Sequence, residues 1–81
     1  MKATGTGVLT TMSFSVTSFI WNGTGNVGDT LLVQDNNGRI IWEATAPGAS
    51  YNLSLGFNKP ATFFGVNVVT LGSGTLTVNY V

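Results

Sequence analysis

The chain has 81 residues, enough for one small domain and no more. It carries three basic and three acidic residues, no Cys and no His. These counts exclude a disulfide framework and thiolate ligands, remove the commonest metal ligand and general base, and leave no basic patch for nucleic-acid phosphates.

Strand formers alternate with turn formers along the whole chain, and no window places apolar residues at helical spacing. Met1–Gly5 holds one positive charge and no apolar h-region follows, so a signal peptide is not expected and synthesis in a cytoplasm is. Residues 1–7 read as an extended N-terminal segment, of a kind that can lie across a neighbour and gain a strand pairing. The first strand is expected over 8–12 and runs on into 13–21. There Met12, Phe14, Val16, Ser18 and Ile20 share one face by period two, and Ser13, Ser15 and Thr17 share the other. Phe19 and Trp21 then appear on the polar face. Either a bulge near Thr17 flips the register, or both aromatics are exposed.

Residues 22–29 hold three glycines among eight and read as a loop. A strand with Leu31 and Val33 on one face follows, ending at Asp35. Asn37-Gly38 between two apolar runs predicts a hairpin, with Ile40 and Trp42 on one face of the return strand. Pro47-Gly48 is a turn. Tyr51, Leu53 and Leu55 alternate with Asn52 and Ser54, a half-buried strand that Gly56–Pro60 is expected to break. The longest apolar run, 61–71, puts Phe64, Val66 and Val68 on one face and Phe63 and Val69 on the other. Gly72-Ser73-Gly74 turns the chain into a last strand with Leu76, Val78 and Tyr80 alternating. The expected fold is therefore all-β: one domain over 1–81, a small antiparallel, jelly-roll-like β-sandwich of about seven or eight short strands.

No constellation for catalysis emerges. Nucleophilic catalysis needs a base to activate the nucleophile, and Lys2 and Lys59 sit in no motif. Asp29 lies in a Gly-rich loop, Asp35 borders a turn and Glu43 sits late in a strand, where turn and surface chemistry accounts for them. No window resembles a calcium loop. Gly-Thr-Gly occurs at 5–7 and 23–25, but no helix follows either site to complete a phosphate cradle. The expectation is a protein that is not an enzyme and holds no metal or cofactor. No apolar run approaches the ~20 residues of a membrane-spanning helix.

The charge count points to association. Charged residues make up 7% of the chain, against roughly a quarter in ordinary soluble domains. Small folds without disulfides or metals commonly gain stability from other subunits. The aromatics suit a core, a subunit interface or a carbohydrate-stacking platform. Trp42, Phe14, Phe64 and Tyr51 fall on alternating apolar faces and read as core. Phe19 and Trp21 fit those faces worse and are expected at an interface, together with Phe63 and with Ala3 and Val81 beside them. A carbohydrate- or receptor-binding module built on Trp21 is the alternative.

Taken in order, several segments carry a resemblance. They are the Met-Lys-Ala-Thr-Gly start, Gly-Asp-Thr-Leu-Leu-Val-Gln-Asp-Asn-Asn-Gly over 28–38, and Gly-Ser-Gly-Thr-Leu-Thr-Val-Asn-Tyr over 72–80. Joined by a Pro-Gly turn and a Gly-bearing apolar strand, this pattern resembles small virion structural proteins of tailed phages. The resemblance implies a capsid decoration or cement protein that works on the capsid surface of the virion after synthesis in the host cytoplasm. Its implied partners are copies of itself, as a homotrimer over a capsid symmetry axis, and the major capsid protein. A tail, baseplate or head-fibre component is the other structural reading. The resemblance carries no catalytic or ligand residues.

Overall fold

A computed structural model describes all residues, 1–81. Six strands form in chain order: β1 (Lys2–Ala3), β2 (Gly7–Asn22), β3 (Thr30–Gln34), β4 (Ile40–Thr45), β5 (Leu53–Leu71) and β6 (Thr75–Tyr80). All are antiparallel and hydrogen-bond into one sheet of order β1-β6-β2-β5-β3-β4. The expected all-β antiparallel class holds. The strands are fewer and longer than expected, and they form one sheet. The 8–12 and 13–21 segments are a single strand, and so are the two segments either side of Gly56–Pro60.

The reason is that bulges interrupt the ladder without ending the strands. Val16 pairs with Ala61 and Ser18 with Gly56, so four residues of β5, Phe57 to Pro60, stand opposite Thr17 alone. Pro60 has no N–H to give a ladder, and it falls within the bulge, where no residue of β2 pairs with it. On its other side β2 gains one residue against β6, again at Thr17. The register therefore flips at Thr17. Val16, Phe19 and Trp21 all point inward and are fully buried.

Two long strands let the sheet wrap on itself. The C-terminal half of β2 is bordered by β6, while the C-terminal half of β5 is bordered by β3. Between β2 and β4 lie two strands, which would separate them by about 14 Å in a flat sheet. Yet the Phe19 and Trp42 ring centroids are 6.1 Å apart. The curled sheet encloses a core of Val16, Phe19 and Trp21 from β2, Leu31 and Val33 from β3, Val66 and Val68 from β5, and Leu76 and Val78 from β6. Cross-strand pairs such as Trp21–Leu76, Phe19–Val78 and Val33–Val68 stack these side chains on the inner face.

The Asn-Gly hairpin forms as read. The Gly38 amide donates to the Asp35 carbonyl and the Asp35 amide to the Arg39 carbonyl. Gly38 takes φ +79°, which closes a turn followed by a bulge glycine. The first three residues pair within the chain. Lys2 and Ala3 pair with Thr77 and Leu76, and the Met1 amino group donates to the Val78 carbonyl at 2.8 Å. Ala3, on this added strand, is buried and joins the core.

Candidate functional site

One end of the sheet is closed by three loops, and the polar residues there serve that closure. Thr24 is the one buried polar residue. Its hydroxyl donates to the Gly48 carbonyl at 2.7 Å and accepts from the Tyr51 amide at 3.0 Å. Its own carbonyl accepts from Ser50. A few residues on, the Asp29 carboxylate accepts from the Asn26 amide and from the Ser73 hydroxyl at 2.7 Å. Ser73 in turn accepts from the Gly25 amide, and its carbonyl takes the Trp21 indole N–H at 2.7 Å. Gly25 and Gly72 suit this closeness, because an added Cβ would press on Ser73 and Asp29, at 3.2 and 3.1 Å. Asp29 is thus consumed in holding loops, where Gly would leave the Asn26 amide and the Ser73 hydroxyl without this acceptor.

Asp35 has a similar structural task. Its carboxylate accepts from the backbone amides of Asn37 and Arg39, both at 2.9 Å. Glu43 is exposed on β4, an outer strand of the sheet. The three carboxylates therefore occupy three separate settings, and no group of three acidic residues converges on a metal position.

The expected interface residues are placed differently from the sequence reading. Phe19 and Trp21 are 0% exposed, so they are core and present no surface. The flip at Thr17 and the cover supplied by β6 explain this. Phe63 is half-buried and packs against Phe19 and Phe57, at 6.1 and 6.0 Å between centroids. Val81 is 76% exposed, but Ala3, expected beside it, is buried. Two residues expected in the core are outside it: Phe64 is 61% exposed and Tyr51 50%. For Phe64 the cause is Gly65, whose φ of +89° kinks β5 so that Phe63 turns inward and Phe64 outward. The Asn36 side chain fills the space where a Gly65 Cβ would stand and donates to the Thr11 carbonyl at 2.7 Å. A glycine inside an apolar run was the available signal for this kink.

What the surface offers is apolar. Met12, Val8, Ile40, Phe64, Tyr80 and Val81 are each more than half exposed. A shallow cleft of ≈ 270 Å³ lies between the β3–β4 turn and β5, lined by Ile40, Ile41, Phe63 and Phe64 with Asp35 and Arg39 beside them. Its one carboxylate, Asp35, is the one that accepts from the Asn37 and Arg39 amides. Comparison with known protein families, with characterised proteins and with solved structures finds no match to this chain.

Proposed function

We propose that this chain is a structural protein of a tailed-phage virion, acting as a capsid decoration or cement protein that binds at the head surface. The observation that carries the reading is the set of large apolar side chains left exposed on a chain with only six charges, Met12 and Phe64 foremost. A cement protein works by burying area at joints, at roughly 25 cal/mol per Å² of apolar surface before association costs. Its polar groups need do no chemistry, and Asp29, Asp35, Thr24 and Ser73 are here spent on closing loops. The resemblance in the 28–38 and 72–80 segments supplies the address. The partners on this reading are copies of the chain itself and the major capsid protein.

The carbohydrate-binding alternative loses its central residue, since Trp21 is enclosed and its N–H is taken by Ser73. Cryo-microscopy of purified particles from a phage encoding the chain tests the proposal. Density for this fold on the capsid, in hundreds of copies as an order-of-magnitude expectation from closed symmetry, is the expected result. A few to a few dozen copies confined to the tail would move the protein there. Absence from particles would end both structural readings.

A further inference from the structure

The curled sheet has four open edges, and the few charges are distributed among them unequally. In one half of the sheet the edges are β1 with β6, and the N-terminal half of β5; in the other they are β4 and the N-terminal half of β2. The β1 edge is two residues long and carries Lys2. The β5 edge carries Lys59 and Pro60 within its wide bulge. The β4 edge carries Glu43 at its middle. Short length, charge, proline and bulges are the devices that keep an edge from pairing with another chain. The fourth edge, Gly7 to Phe14, has bulges but neither charge nor proline. No charged residue occurs between Lys2 and Asp29.

We infer that this fourth edge is the self-association surface of the protein, pairing antiparallel with the same edge of a second copy across a two-fold axis. The charge pattern selects that occupant. Homotypic pairing sets a strand against its own sequence, so a charge near the middle meets its like. Two β4 edges would bring their Glu43 carboxylates together, whereas two copies of the uncharged segment meet no repulsion. Two register shifts, at Val8/Thr10 and Thr10/Ser13, put extra residues on this edge, and the Thr11 carbonyl is already taken by Asn36. These bulges limit the backbone bonds available, so side chains must carry much of the contact. Val8 and Met12 on the edge are 58% and 75% exposed, and Phe64, paired with Ser13 one strand in, is 61% exposed. A contact confined to one edge segment belongs with the small class of interfaces, and the pairing is a weak one. The pairing is two-fold; a trimer would need a different, head-to-tail contact.

Sedimentation equilibrium of the full chain, over about 1–100 µM to reach weak self-association, tests the inference. Wild type is expected to double in mass across the range. Met12→Lys, which places a charge on the edge, is expected to remain a monomer with an unchanged far-UV spectrum. Val27→Lys, equally exposed at 75% but in the 22–29 loop, is expected to dimerise as wild type does. A wild-type monomer throughout, a trimer, or a Met12→Lys protein that still dimerises would each overturn the inference. Hydrogen exchange gives a second readout that needs no variant: amides of 7–14 should slow with rising concentration, and protection gained at another edge would overturn it. The result does not depend on the virion reading. A chain absent from phage particles that still dimerises through this edge would end that reading and leave this one standing.

Discussion

The two halves of β2 have similar composition and opposite fates. Residues 16–22 are paired on both sides, by β5 and by β6, and supply the three fully buried residues Val16, Phe19 and Trp21. Residues 7–14 are paired by β5 alone, supply no buried residue, and expose Val8 and Met12. Hydrophobicity does not separate them, since each half contains large apolar side chains. What separates them is the second neighbour. β6 covers one half of the strand and stops at Tyr80, which pairs with Val16. The protein thus uses one strand both as the spine of its core and as its least guarded surface.

The largest effect that would break the comparison is in the covered half. Phe19→Ala removes a fully buried ring that touches Trp42, Phe57 and Phe63. The expected loss is about 3–5 kcal/mol. A domain of this size has total stability on the order of 4–12 kcal/mol, and only 13 of its 81 residues are buried. Urea unfolding should therefore show the variant largely unfolded or close to it. Retention of most of the wild-type midpoint would mean that the sheet does not close over Phe19. The next effect is at the loop end of the same half. Gly74 has φ +73°, and an added Cβ would overlap the Asn22 carbonyl. Gly74→Ala is expected to cost about 2–5 kcal/mol from strain and overpacking together. The measurement is the same unfolding midpoint, and a neutral result would remove the tight approach of the 72–74 turn to β2.

Part of this contrast was readable in the residues. The switch from Ser-lined to aromatic-lined positions after Thr17 leaves two readings, a bulge or exposed aromatics, and the structure has the bulge. The Asn37-Gly38 turn places its hairpin without help from the rest of the chain, because positive φ at Gly38 is a local requirement. Other features depended on partners that local pattern does not reveal. Gly56–Pro60 looks like a strand breaker, yet β5 continues through it because the β2–β5 ladder resumes on both sides of the bulge, at Gly56 and at Ala61. Period two assigned Phe64 to the inside, and one glycine with φ +89° reversed it. The surface was the least readable part. Whether Phe19 or Met12 faces solvent is decided by where β6 ends and how the sheet curls, and both are long-range facts.

A middle-sized effect tests how the covered half is held at its loop end. Thr24→Val keeps the shape and removes the hydroxyl that serves both Gly48 and Tyr51. A buried amide then lacks its acceptor, for an expected cost of about 1–3 kcal/mol. The 22–29 and 46–51 loops meet at this side chain and through backbone bonds of Thr24 with Ser50 and Tyr51 and of Gly28 and Asp29 with Ala46, so amide exchange should rise in both loops before the strands respond. Faster exchange uniformly across β2 would instead mean that the loops and the sheet unfold as one unit, and the two halves of the strand would not be energetically distinct.

The smallest expected effect is the sharpest test of the contrast, because it lies in the uncovered half. Met12 is 75% exposed, so Met12→Ser removes little buried area and should change the folding free energy of the monomer by less than about 0.5 kcal/mol. Measured at low protein concentration, its unfolding midpoint should match wild type. Measured at high concentration it should fall behind, because binding to a second copy stabilises only the folded form and wild type retains more of that gain. A cost of 2 kcal/mol or more at low concentration, the size of an ordinary core truncation, would place Met12 in the monomer's own packing. In that case the 7–14 segment would belong to the core, and the two halves of β2 would differ in degree only.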